Sequence, residues 1–125
     1  MQQKALQLQW LWRFSLKERY AQDFTRYKSA AVGTSPVTLH TANTNDVVVG
    51  ISVANILGST ILVDVYLTNS GTFHLVKSAP IPSGGSLQLL AGGAKVVMQN
   101  GDALIVKSDT ASSADVWVSA VDSVS

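Results

Sequence analysis

From Val32 onward the chain is a succession of short apolar runs broken by Gly, Ser, Thr and Asn, and within the runs apolar and polar positions alternate with the period of a strand. The clearest run spans residues 60–68. There Ile61, Val63, Val65 and Leu67 alternate with Leu62, Asp64, Tyr66 and Thr68, so one face is wholly apolar and the other mixed. The pattern predicts eight strands, at 36–41, 47–55, 60–68, 72–78, 86–90, 94–98, 103–108 and 114–121. Short strands separated by turn residues at this spacing imply an all-β fold, an antiparallel β-sandwich of jelly-roll or Ig-like type. Its core is expected from the apolar faces of 47–55, 60–68, 103–108 and 114–121, with Val63, Val65, Leu104 and Val118 deeply buried.

Turn chemistry sharpens the connections. Asn100-Gly101, between Lys95-Val96-Val97-Met98 and Ala103-Leu104-Ile105-Val106, reads as a two-residue type I′ hairpin, because that turn needs positive φ at both central positions. Asn69-Ser70-Gly71 reads as a slightly longer hairpin loop. Pro80, Pro82, Gly84 and Gly85 make a wider connection of the kind that carries a chain from one sheet to the other.

The first 23 residues follow another pattern and form an arm set apart from a 24–125 sandwich domain. Leu6, Leu8, Trp10, Trp12, Phe14 and Leu16 alternate with Gln7, Gln9, Leu11, Arg13, Ser15 and Lys17, which suits a strand. Leu16, Tyr20, Phe24 and Tyr27 fall at helical spacing in a stretch free of Gly and Pro, and the propensity of the opening residues is helical, so a helix from about Gln3 to Phe24 is predicted. Three readings of so apolar an arm stay open: folding back on its own sandwich, docking on a neighbouring subunit, or an extension with no native role. The docking reading makes Trp10, Trp12, Phe14, Tyr20 and Phe24 the candidate interface residues.

Charge divides the chain at the same place. Residues 1–28 hold six Lys and Arg against two acids, a net +4, whereas the rest holds three Lys against six Asp, a net −3. The asymmetry fits an arm that meets an acidic surface such as the same domain of a neighbouring copy, and it is too small to make nucleic acid the partner. With 125 residues the chain is one domain that folds without staples, and its lack of cysteine excludes disulfides and thiolate metal sites. The apolar stretch from Leu6 to Leu16 is too short and too interrupted for a membrane span, and it lacks a secretory cleavage pattern, so the chain reads as soluble.

Little in the sequence suggests chemistry. His40 and His74 are the only histidines, neither with a second ligand at metal-binding spacing, and no Gly-x-Ser-x-Gly elbow is present. Gly84-Gly85 and Gly92-Gly93 lack the ending of a phosphate loop. Asp109 and Asp115 flank a Ser/Thr-rich loop without the ligand pattern of a calcium site, and Asp64 reads as facing solvent or an interface. Trp10, Trp12 and Trp117 could grip a sugar, but their apolar neighbours favour packing. The expectation is therefore a protein with no catalytic residue, no metal, no cofactor and no small-molecule ligand.

Several segments together resemble a known group. They are Arg26-Tyr27 through Val32-Gly33-Thr34, Thr41 leading to Val48-Val49-Gly50-Ile51-Ser52-Val53-Ala54-Asn55, and Val63-Asp64-Val65. They continue in Ala79-Pro80-Ile81-Pro82-Ser83-Gly84-Gly85-Ser86-Leu87, in Gly101-Asp102, and in Ser112-Ser113-Ala114-Asp115-Val116-Trp117-Val118-Ser119. In these the chain resembles the small β-rich virion structural proteins of tailed bacteriophages, especially of cyanobacterial and marine phages, over about residues 24–122; residues 1–22 fall outside the likeness. The resemblance implies a non-enzymatic particle component, assembled in the host cytoplasm and located in the virion. Its expected role is a capsid decoration or cement subunit, with a tail, neck or fibre component, or a module gripping a host glycan or receptor, as the alternative. Expected partners are further copies of itself, a trimer being common among decoration and fibre proteins, and other virion proteins.

Overall fold

The computed structural model describes residues 23–124, which form nine strands in two antiparallel sheets. The strands are β1 (Asp23–Val32), β2 (Val37–Thr41), β3 (Asp46–Asn55), β4 (Ile61–Thr68), β5 (Thr72–Ile81), β6 (Ser86–Gln88), β7 (Val96–Met98), β8 (Ala103–Ser108) and β9 (Ala114–Asp122). One sheet runs β1-β9-β3-β6, with β7 also paired to β3; the other runs β2-β8-β4-β5. A 3-10 turn, Ala91–Gly93, interrupts the strands, and no helix among the described residues is long and apolar enough to cross a membrane.

The core follows from alternation. In β4 the inward Ile61, Val63 and Val65 are fully buried, and β8 contributes Leu104 and Val106 beside them. The opposing sheet answers with Val48, Ile51 and Val53 from β3 and Ala114, Val116, Val118 and Ala120 from β9. Val63, Val65, Leu104 and Val118 are each 0 % exposed, as their inward positions in the pattern require. Among the described residues four polar ones are buried with them, Asp46, Asn55, Ser108 and Ser113, and each is bonded to the backbone of a neighbouring loop or to another polar side chain. Asn55 shows how: its Nδ2 donates to the carbonyls of Ser59 (2.7 Å) and Ile81 (2.9 Å), while its Oδ1 accepts from the Leu57 N–H (2.8 Å). Such groups must be satisfied, because an unpaired buried amide costs about 1–3 kcal/mol.

Turn chemistry succeeds at two connections and fails at one. Asn69-Ser70-Gly71 closes the β4–β5 hairpin, with Thr68 opposite Thr72 and Ser70 at φ 53°. The Pro82-to-Gly85 segment carries the chain from β5 in one sheet to β6 in the other. Asn100-Gly101, in contrast, joins no hairpin: β7 lies in one sheet on β3, and β8 in the other between β2 and β4. Gly101 has φ 94° but Asn100 has no positive φ, and the Asp102 N–H donates to the Gln99 carbonyl at 3.0 Å. One positive φ at the third position belongs to a type II turn, which does not match the twist of a hairpin and here lets the chain cross between layers.

The start of the domain also differs from the sequence expectation. Asp23 and Phe24, the last residues of the predicted helix, and Tyr27 after them, belong to β1, which pairs with β9 from Asp23↔Asp122 to Val32↔Ala114. Before its bulge the inward residues of β1 are Thr25, Tyr27 and Ser29, and only Val32 beyond it is buried and aliphatic, so the strand has no apolar stripe to announce it; the helical spacing of Phe24 and Tyr27 is coincidental, since they point to opposite faces. The remainder of the predicted helix lies outside the described residues.

Candidate functional site

The most concentrated polar chemistry sits at one end of the sandwich, where β1, β2, β3 and β9 meet. His40 Nε2 lies 2.6 Å from Asp46 Oδ2, and Tyr27 Oη lies 3.3 Å from the same nitrogen. The Tyr27 and His40 rings stack, with centroids 4.0 Å apart and planes 8° from parallel. Asp46 Oδ1 accepts from the Ser123 N–H at 3.1 Å and from Thr44 Oγ1 at 3.4 Å. Asp122 adds a second carboxyl, so that His40, Asp46 and Asp122 each place a donor atom within 4.8 Å of the others.

Electrostatics divides the two carboxyls. Burial alone would raise Asp46, but hydrogen bonds from Asp122, His40 and the Ser123 backbone, with the His40 charge, outweigh it and hold Asp46 below the ordinary aspartate range. Asp122 is pushed up, chiefly because it hydrogen-bonds to Asp46, and further by its own burial and the Asp46 charge. Two acids this close favour sharing one proton, held on Asp122. Tyr27 is raised as well, by burial first and then by the charges of Asp122 and Asp46.

These groups close on one another. The imidazole engages Asp46 through Nε2 and Tyr27 through its ring face, so the hydroxyl near that nitrogen is a phenol stacked over the ring and not a nucleophile aligned with it. A cation held by the three donors would have to displace the 2.6 Å contact between His40 and Asp46. What the cluster does mechanically is join the sheets: His40 comes from β2, whereas Tyr27, Asp46 and Asp122 come from β1, β3 and β9.

The other acids flagged in the sequence serve the backbone. Asp109 Oδ1 accepts from the Leu62 N–H (3.0 Å) and Thr110 Oγ1 (2.9 Å), while Asp115 Oδ1 accepts from the Ala31 N–H (2.9 Å) on a different strand. Each is thus engaged by a backbone donor in a different part of the fold. Asp64 Oδ1 accepts from the Ser78 N–H at 2.6 Å, supporting the irregularity at which Ser78 takes φ 52°. His74 lies apart from His40, tilted against Tyr66 at 5.1 Å on the outside of the four-stranded sheet.

The second distinctive region is the outward face of the five-stranded sheet. Register places Phe24 beside Val121, Val121 beside Val47, and Val47 beside Val97, so β1, β9, β3 and β7 contribute one continuous apolar row. Phe24 is 87 % exposed and Val97 63 %. Of the candidate interface residues, Phe24 heads this row; Trp10, Trp12, Phe14 and Tyr20 lie outside the described residues. Trp117 is not packed in the core as expected. It stands half-exposed on the same outward face, with the Arg26 guanidinium 5.3 Å from the centre of its ring.

Two shallow hollows flank Arg26 and Trp117. One, of about 340 Å³, is lined by Phe24, Thr25, Arg26, Val49, Ser119 and Ala120; the other, of about 360 Å³, by Lys28, Ser29, Ala30, Asp115, Val116 and Trp117. The sequence hid this face, because Phe24 sat within a predicted helix and Trp117 between two core valines; only β1 beside β9 reveals that they share a surface. No protein-family model matches this chain, and none of the curated proteins compared with it matches either.

Proposed function

We propose that this protein is a non-enzymatic structural subunit of a phage virion, a capsid decoration or cement protein that works by covering and joining other subunits. The observation that carries the reading is the apolar row from Phe24 to Val97 with Trp117 beside it, on a sheet face that a monomer has no use for exposing. The long strand β1, ten residues from Asp23 to Val32, lies at the edge of its sheet among the described residues and adds a backbone that assembly would cover. A homo-oligomer, with a trimer as the specific form, and contacts to other virion proteins follow from that role.

The sandwich type is read as a jelly roll. Supporting this, the chain passes repeatedly between the sheets, so that β9 inserts beside β1 in one and β8 beside β2 in the other. Jelly rolls serve both viral shells and lectins, so the fold by itself does not choose between roles. Trp117, half-exposed beside Lys28, Ser29 and Asp115, favours a second reading in which this face of a tail, neck or fibre component grips a host glycan or receptor.

The test is mass spectrometry of purified particles from the source phage, with and without residues 1–22 in the gene. The expected result is a stoichiometric virion protein whose occupancy falls at least tenfold on truncation. Absence from the particles would remove the structural reading, and glycan-array binding lost in Trp117→Ala would select the second.

A further inference from the structure

We infer that Trp117 is the platform of a binding site for a neutral oligosaccharide, with Lys28 and Asp115 as its polar contacts. This rests on the second reading above and names its ligand class. Register sets Lys28 opposite Trp117 on the outward face, and Asp115 stands on the same face two residues before Trp117 along β9. With Ala30 these three, all exposed, line the hollow of about 360 Å³. Arg26 pairs with Ser119, on the other side of the Lys28–Trp117 pair. Its guanidinium, 5.3 Å from the ring centre, thus backs the indole while the hollow opens on the opposite side. A ring held in this way loses little freedom when a ligand lies on it.

The residues suit a sugar because of what each can offer. The indole presents an apolar surface to the C–H face of a pyranose. Asp115 commits Oδ1 to the Ala31 N–H (2.9 Å), which fixes the carboxylate and leaves Oδ2 to accept from a hydroxyl. Lys28 forms no ion pair among the described residues, so its ammonium can donate to a second hydroxyl. Beyond Trp117 the same row continues through Ser52 on β3 to Gln88 on β6, whose Nε2 donates to Ser52 Oγ at 2.9 Å. The row from β1 to β6 spans three strand spacings, roughly 14 Å at about 4.8 Å each, which is room for more than one sugar ring.

Charge and polarity select the class. The hollow holds one cation and one anion, the row beyond Trp117 is uncharged, and Arg26 lies across the indole from the hollow, so neither an acidic nor a basic sugar is favoured. An apolar protein surface laid over this end would strip water from Lys28 and Asp115 without replacing it, whereas sugar hydroxyls satisfy both. The apolar row is a separate feature. Val121 lies four residues from Trp117 along β9, about 13 Å at about 3.3 Å per residue, so subunit contacts on that row and a sugar on Trp117 need not compete.

Titration calorimetry on the purified full-length protein tests this with three sets of hexasaccharides: neutral gluco-, manno- and galacto-oligosaccharides, acidic oligogalacturonates and basic oligoglucosamines. A neutral hexasaccharide is expected to bind at least tenfold more tightly than its monosaccharide and than either charged set. Trp117→Ala should weaken that binding at least tenfold, and Lys28→Gln and Asp115→Asn at least threefold each, with melting temperatures within a few degrees of the parent. Asp115→Asn keeps an oxygen for the Ala31 N–H, so its loss of affinity reports on the ligand and not on β1. A charged set bound in preference through Trp117 would overturn the inference and leave the glycan reading standing. Neutral binding that Trp117→Ala leaves unchanged, or a single-stranded oligodeoxynucleotide bound through Trp117 in place of sugar, would overturn the site; binding of no set would remove the site and the glycan reading together.

Discussion

The outward faces of the two sheets are built from similar strands and treat their side chains differently. On the four-stranded sheet the outward polar residues find partners within the sheet, and its exposed apolar residues, Leu62 and Phe73, stand on different strands without forming a row. Asp64 stands opposite Lys107 in register and bonds the Ser78 N–H, Tyr66 lies against His74, and Asp109 holds the Leu62 N–H. On the five-stranded sheet Phe24, Val97 and Trp117 stand exposed, with the Arg26 guanidinium over the Trp117 ring. Polar groups that satisfy one another need nothing from outside, whereas a row of exposed apolar residues gains stability only when something covers it, at about 25 cal/mol per Å². The difference teaches that the interaction surface of a sandwich is found by asking which outward face gathers its exposed apolar residues into one row, since both sheets contribute apolar residues to the core.

The largest effect should show that the inward faces are equivalent. Val65→Asp in the four-stranded sheet and Val118→Asp in the five-stranded sheet each place an unpaired charge at a fully buried position, and each should cost several kcal/mol, about 3–5. Chemical denaturation measures this; a loss below about 1 kcal/mol in either variant would mean that its strand face is misassigned.

The histidines give the next contrast. His40→Ala removes the stack on Tyr27 and leaves the buried Asp46 without its shortest bond, so a loss of about 1–3 kcal/mol is expected. His74→Ala acts on an outward pair and should stay within about 0.5 kcal/mol. Equal effects would erase the distinction between the inward polar end and the self-satisfied outer face.

The smallest effect is in pH dependence. Asp46 is held low, so its contribution is present above the ordinary aspartate value of about 3.9 and is lost as pH falls through its own lower value. Asp122 is pushed up, so as pH rises from about 3.9 through its higher value the folded state holds a proton that the unfolded state has lost, and stability falls. Asp122→Asn keeps an amide donor toward Asp46 and abolishes the second contribution. Its melting temperature should gain a few degrees on the parent between about pH 4 and pH 7; parallel curves would show that the two carboxyls do not share a proton.

Much of this architecture was legible in the chain. Period-two alternation in residues 60–68 identified β4 and its buried face, and Val65, Leu104 and Val118 were found inward, because burial of alternate side chains is a local consequence of strand geometry. The Asn69-Ser70-Gly71 turn was legible for the same reason: a positive φ is a property of one or two residues. β1 was not legible, since its inward Thr25, Tyr27 and Ser29 give no hydrophobic signal. Nor was the crossing at Asn100-Gly101, where the dipeptide specifies a turn but not which sheet the next strand joins.

The sequence alone thus determined the strands with apolar stripes, the all-β class, the hairpin at residues 69–71 and the separation of a basic aromatic segment from an acidic body. Tertiary structure alone decided the rest. It set β9 between β1 and β3, which drew Phe24, Val121, Val47 and Val97 into one row, and it gathered Tyr27, His40, Asp46 and Asp122 from four strands into one polar cluster. The physical reason is range. Alternation and turn propensity act over a few residues, whereas a shared face or a buried polar cluster exists only after strands distant in sequence have been placed side by side by burial of the core.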